Sequence, residues 1–401
     1  MSFCIFLLWT FILVGRPQDF IPVLAPLRLA LVFTIITLVA TFVGNKKIAL
    51  EQIFKLKQGR RYLAFFVIMI LGIPFAYHRR EAFNYIFLTY LVNVFFFYIL
   101  IIQIDSLNRL KHLILVTFIS VFLYSMFVLF RGSFFSGRLY FGTIYDPNDI
   151  AYFLISLFPL GLIVAAEGKT LLNSTLPVLG MGISICVILL TGSRAGIIGL
   201  AVVVVLIFVT KIIGMRRSTK IVFLIGFIII FLIYGNKIDV DRYLTLKEIG
   251  NDYNVTDEFG RMGLWKRAFE LISSNPLSGV GVACFPKAIG EMREKQKVLP
   301  MWQDIHNSFL QVAVEVGLIG FIVFVSIIIE CFKTFSIYRK LSMTSTTMRD
   351  HRNIGTILQI GFIGSLITSF FLSQGYSLLF TLYFAFSATL RKLNWSNIND
   401  E

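Results

Sequence analysis

Long apolar runs separated by short polar loops constrain this chain more than any other feature. Twelve are legible: Phe3–Val14, Leu24–Val43, Tyr62–Tyr77, Tyr85–Gln103, Leu113–Phe130, Ile150–Ala166, Thr175–Leu190, Ala195–Ile213, Ile221–Tyr234, Ser308–Phe332, Ile354–Phe371 and Tyr376–Leu390. An upright spanning helix takes about 20 apolar residues, and several runs fall short of that, so the reading is about twelve transmembrane helices. Composition agrees: 57% of the residues are hydrophobic and 15% charged, with mean hydropathy +0.81. No soluble domain of this size carries that balance. The expected fold class is all-α, a polytopic integral membrane protein.

A net charge of +15 raises the question of an anionic partner, and the placement of the charges answers it. The long polar segment from Gly235 to Ile305 holds ten Lys/Arg and ten Asp/Glu and is neutral. The excess sits in alternate short loops, with twenty basic residues on one side of the expected membrane against seven on the other. A nucleic-acid-binding module would gather it on one folded surface, so no nucleic-acid partner is expected. By the positive-inside rule both termini are cytoplasmic and the long segment faces out. The expected organisation is residues 1–234 as transmembrane helices one to nine, 235–305 as a mostly helical extracytoplasmic subdomain, and 306–401 as helices ten to twelve with a cytoplasmic tail. Within 235–305, Leu264, Trp265, Ala268, Phe269, Leu271 and Ile272 follow helical spacing. Thr256 is the expected cap of that amphipathic helix, and Asn275-Pro276 its end. Cys4, Cys186, Cys284 and Cys331 form no disulfide framework and read as structural.

The residues suited to chemistry cluster on the expected outer side. In DIHNSFLQVAVEVGLIG, His306 stands where a polar loop meets an apolar run, with Asn307 beside it and Glu315, Gly317 and Gly320 further on. At about 100° per residue, His306, Leu310, Ala313, Gly317 and Gly320 share one helix face and Glu315 lies roughly opposite. Small residues on such a face favour close helix packing, and the imidazole offers a base near neutral pH. A lone histidine there reads first as a hydrogen-bonded interfacial group. Glu315, inside the membrane, is expected to pair with a polar group on a neighbouring helix.

Arg194 interrupts nearly forty apolar residues in TGSRAG. A guanidinium at a helix end reads first as snorkelling to the interface. Gly192, Ser193 and Gly196, however, supply backbone N–H groups and little bulk, as an anion site at a helix start requires. Arg261 opens EFGRMGLWKRAF near the start of the amphipathic helix. Arg138, in GRLYFGTIYDPND, precedes the Asp146-Pro147-Asn148 turn. No His, Cys or carboxylate group has metal-ligand spacing, and no nucleotide loop or nucleophile elbow is present.

Together these residues resemble the O-antigen ligase and polymerase superfamily of bacterial surface-polysaccharide enzymes. His306-Asn307, nine residues, Gly317, two residues and Gly320 fit its His-(Asn/Ser/Gln)-x9-Gly-x-x-Gly pattern. TGSRAG, Arg261 followed by Trp265, Pro276-Leu277 and Gly279/Gly281 extend the likeness, and the loop with Arg138 and Asn148 begins it. One departure is Ile198, where the ligases carry leucine. The resemblance implies an inverting glycosyltransferase of the bacterial inner membrane, with no cofactor or metal and its active site facing the periplasm. Its donor would be a glycan on a polyprenyl (undecaprenyl) diphosphate. The acceptor would be lipid A-core for a ligase, slightly favoured by the histidine pattern, or a second lipid-linked glycan for a polymerase. His306 is then the general base and Arg194, Arg261 and Arg138 bind diphosphate, with Asn307, Glu315, Gly317, Gly320, Trp265 and Asn148 supporting the site. A flippase for lipid-linked sugars is the alternative from another class. It would line a passage with charge and often carry inverted repeats, and neither pattern is visible.

Overall fold

The computed structural model of the chain describes residues 1–43, 53–142, 146–168, 170–210, 228, 232–244, 256–258, 260–295, 297, 302–341 and 346–399. These are mostly helical. The principal helices are α1 (Ser2–Gly15), α2 (Leu29–Val43), α3 (Lys57–Gly72), α4 (Arg79–Gln103), α5 (Leu107–Arg131), α6 (Pro147–Glu167) and α7 (Leu171–Leu190). They continue with α8 (Arg194–Val209), α9 (Arg261–Ser274), α10 (Phe285–Lys295), α11 (Ser308–Arg339), α12 (Thr346–Ser369) and α13 (Leu378–Asn399). A hairpin of β1 (Ser133–Phe135) and β2 (Arg138–Tyr140) turns at Ser136-Gly137, where both φ values are positive as a tight two-residue turn requires. Among the described residues, α4, α5, α6, α7 and α11 are long and apolar enough to cross a membrane, and α1, α2 and α8 are apolar but shorter. Most of the expected ninth run, Ile221–Tyr234, lies outside the described residues.

Helix starts follow their capping residues. Asp146 accepts hydrogen bonds from the N–H groups of Asn148 and Asp149 to open α6, with Pro147 in the first turn, where its missing N–H costs nothing. Thr170 opens α7 and Ser193 opens α8 in the same way. Helix α9 differs from the sequence expectation: it begins at Arg261 after Gly260, without a side-chain cap, so Thr256 is not its capping residue. Asn275 ends it as expected.

Helix α11 is the axis of the described structure, packing against α3, α12, α13 and α9. Helix α12 bridges α11 to α8 and α6, and α13 lies on α4. Small residues set the closest approaches: Gly196 lies against Ala151 of α6, and Gly199 against Thr368 of α12. A side chain at either position would push the helices apart, which suits packing in a bilayer, where lipid competes for apolar surface.

Candidate functional site

Helix α11 does not run straight from His306. His306 precedes it with φ 51°, a left-handed backbone uncommon outside glycine, so it stands off the helix face predicted for it. Asn307 is the cap, its Oδ1 accepting from the N–H groups of Phe309 and Leu310 at 3.0 Å each. Asn or Ser at this position is therefore explained by capping. Further along, Gly317 has φ 79° and ψ 172° and interrupts the helix.

The gap is filled by the segment PLSGVG. The N–H of Val280 donates to the carbonyl of Val314 (2.8 Å) and that of Gly281 to Glu315 (3.0 Å), while the N–H of Leu318 donates to Pro276 (2.8 Å). Backbone groups freed by the break thus find partners, as burial demands. Backbone meets backbone so closely that a Cβ on Gly279 would lie 2.5 Å from the Glu315 carbonyl carbon. The buried Glu315 carboxylate reaches the same loop, accepting from the N–H groups of Ala283 (3.0 Å) and Phe285 (3.2 Å) where α10 begins. These partners are backbone N–H groups of the polar segment, and the Tyr376 side chain, at the head of the last expected span, also interacts with the carboxylate. Gly320 faces Ile68 of α3.

His306 is held from the opposite side by the α12–α13 loop. Its N–H donates to Ser373 Oγ at 2.9 Å, Ser308 Oγ donates to the carbonyl of Leu372 at 2.7 Å, and Ser308 Oγ accepts from the N–H of Gln374 at 2.9 Å. Gln374 also donates through Nε2 to Asp149 Oδ1 at 2.8 Å, tying the histidine niche to the start of α6. Trp265 Nε1 donates to the carbonyl of Ile305 at 3.0 Å, and its ring meets Phe370 edge-on at 5.7 Å. Arg261 lies with Cζ 6.0 Å from the centre of the Phe371 ring. Burial lowers the affinity of the His306 imidazole for a proton, and the nearby Arg261 charge lowers it further, against the opposing pull of Asp304 and Asp146. His306, Arg261 and Trp265 are thereby gathered around one loop.

Arg138 sits at a second focus. Its Nε donates to the carbonyl of Thr191 and its Nη2 to Asn148 Oδ1, both at 3.0 Å. Arg242 Nε donates to the carbonyl of Gly192 at 2.8 Å, so two guanidinium groups close over the TGSRAG turn. Burial and the neighbouring Arg242 both lower the proton affinity of Arg138. Gly192, with φ 60°, and the Ser193 cap make that turn, which places Arg194 as the first residue of α8. The two foci are linked through α6, whose first turn carries Asn148 to Arg138 and Asp149 to Gln374. Sequence reasoning missed the loop Phe370–Ser377, Arg242 and the carboxylate of Asp149. Ser373-Gln374-Gly375 between two apolar runs was a readable signal for the loop, whereas Arg242 had none. Among the described residues, no group of three or more His, Cys, Asp or Glu side chains is gathered as a metal ion would require.

Apolar helices long enough to span a bilayer, surrounding a polar niche with a histidine and arginines, define a multi-pass membrane protein with a buried polar site. Residues 179–325 match the family model described as O-Antigen ligase. The match supports membership of the O-antigen ligase/polymerase superfamily, and with it a glycosyltransferase-type function on lipid-linked glycans. Arg194, Arg261, Trp265, His306, Asn307, Glu315, Gly317 and Gly320 fall within the matched segment, while Arg138, Asn148 and the Phe370–Ser377 loop fall outside it. No curated protein matches the chain.

Proposed function

We propose that the protein transfers a glycan from a polyprenyl diphosphate donor to an acceptor hydroxyl at the periplasmic face of a bacterial inner membrane, as an O-antigen ligase acting on lipid A-core. The observation that carries this reading is the His306 niche: a shielded imidazole beside Arg261, at the head of a glycine-broken helix within the segment that matches the family. As the acceptor oxygen bonds to the anomeric carbon, the carbon–oxygen bond to diphosphate breaks and its electron pair leaves with the phosphate. The hydroxyl proton passes to His306, a role that typically contributes about 10² to 10⁴-fold in rate. Negative charge developing on the diphosphate is balanced by Arg194 and Arg261, with Arg138 as a third cation, and fixed guanidinium groups in a site shielded from water are effective there. One direct displacement inverts the anomeric centre.

In membranes supplied with donor and acceptor, His306→Ala is expected to abolish transfer while leaving insertion and donor binding intact. Arg194→Ala and Arg261→Ala are expected to weaken donor binding. Full turnover in the first variant removes the base assignment, and unchanged donor affinity in both others reduces the arginines to interfacial charges. The acceptor separates ligase from polymerase. Gene deletion that leaves long chains on the lipid carrier supports the ligase, and a single repeat unit on the core supports the polymerase. Loss of external lipid-linked glycan would indicate a flippase instead.

A further inference from the structure

A cavity of about 1040 Å3 opens where the end of α3, the start of α4 and the start of α10 meet, on the side of the chain that carries the 235–305 segment. Its polar rim includes Arg79, Arg80 and Lys287, and its lining includes Tyr77, Tyr85 and Leu88. Lys287 is ion-paired with Glu81, and His78 Nε2 is 2.8 Å from Glu291 Oε1. Arg79 and Arg80 are exposed and make no ion pair with another described residue. The charge of the rim is therefore positive and concentrated at two neighbouring guanidinium groups. Below it, α4 winds as a π-turn over Tyr85–Tyr90, and Leu88 presents an exposed apolar surface. Leu88 lies nine residues beyond Arg79, about 13 Å along a helix, so the cavity passes from a cationic head region to an apolar flank.

Its inner wall adjoins the histidine site. Tyr85 packs edge-on against Tyr376 at 5.8 Å, and Tyr376 belongs to the loop that holds His306. Ala283, also in the lining, is the residue whose N–H meets Glu315. A molecule seated here is separated by one aromatic side chain, Tyr85, from the loop that holds His306, and has the exposed Leu88 beside it.

We propose that this cavity seats the anionic head of a lipid-anchored saccharide, the acceptor of the transfer proposed above, on which reading the inference rests. Arg79 and Arg80 bind its phosphate or carboxylate, Tyr77 and Tyr85 offer flat faces to its sugar ring, and its lipid chain leaves past Leu88. Guanidinium groups suit such anions because their planar fork donates two parallel hydrogen bonds.

The test uses the full chain in phosphatidylcholine nanodiscs, with glucose 6-phosphate as the soluble anionic probe and glucose as the neutral control. The wild type is expected to bind the phosphorylated sugar at least tenfold more tightly than glucose. The paired substitution Arg79→Ala/Arg80→Ala is expected to remove at least tenfold of that affinity, whereas Lys266→Ala, at an exposed cation outside the cavity, leaves it within twofold. Leu88→Trp, which narrows the lateral mouth at an exposed position, is expected to weaken acceptor use in transfer and serves if the arginine pair does not fold. Equal affinity for glucose, or retention of binding without both arginines, overturns the proposal. So does displacement of the probe by phosphatidylglycerol in the disc, because the occupant is then an ordinary lipid headgroup. Transfer with an unchanged acceptor KM in the Arg79/Arg80 variant removes the acceptor assignment and leaves the proposed function standing. Arginine-dependent binding by a wild type that transfers no glycan does the reverse.

Discussion

Replacing Gly317 with alanine tests whether the break in α11 is required by the fold. The native φ of 79° and ψ of 172° lie in a region open essentially to glycine alone, and an alanine held there costs about 1–3 kcal/mol. The added Cβ would run into the carbonyl of Leu277 and lie 2.9 Å from the N atom of Gly279. Relief therefore requires the 276–281 segment to withdraw. Withdrawal releases the three hydrogen bonds at Val314, Glu315 and Leu318, worth roughly 1 kcal/mol each. The two routes are alternatives, and the clash with Leu277 favours withdrawal, so the expected loss is about 3 kcal/mol, a sizeable share of what holds a typical domain folded. Gly182→Ala, in α7, is the matched control, since an added Cβ there meets nothing within 4 Å. The assay is thermal unfolding of the detergent-solubilised protein, with limited proteolysis reporting on residues 276–281. Gly317→Ala is expected to lower the transition and expose that segment, with transfer activity lost. A variant as stable and as protease-resistant as Gly182→Ala would refute the reasoning.

The pH dependence of transfer follows from the His306 environment: with its pKa below the ordinary 6.5, the imidazole is neutral at pH 7, and activity should fall only as pH drops through that lowered value. Removing Arg261 takes away one cause of the lowering, so the acid limb of the residual activity in Arg261→Ala should move to higher pH, and a shift to lower pH would contradict the assignment. Asn307→Ala should cost about 1 kcal/mol through loss of the α11 cap, with Asn307→Ser recovering most of it, as read by thermal unfolding.

Much of the site was readable before the structure because its residues lie at element boundaries, where local chemistry is strong. Asp146, Ser193 and Asn307 are capping residues whose side chains must meet the first free N–H groups of a helix. Arg194 and Arg261, each just after a turn, are accordingly the first residues of α8 and α9. The glycines of the His306 pattern were also visible; Gly320 does pack against α3, but the purpose of Gly317 was misread. A helical wheel assumes unbroken α-helix and so interprets Gly317 as a packing residue, whereas its backbone conformation lets another segment reach the helix carbonyls. The Thr256 cap failed for a related reason: a capping residue carries no information about whether the chain reaches helical geometry immediately after it.

Hydropathy alone determined that this is a many-helix membrane protein, because the cost of unpaired backbone polar groups in hydrocarbon leaves apolar runs of this length little alternative. Residue types alone also nominated His306, Arg194 and Arg261. Only the tertiary structure decided that Ser373 and Gln374, more than sixty residues away, hold the histidine loop in place, that Arg242 joins Arg138 over the TGSRAG turn, and that PLSGVG completes α11. Those contacts join segments distant in sequence through single hydrogen bonds, which have no period and no local propensity, so nothing in the order of residues announces them.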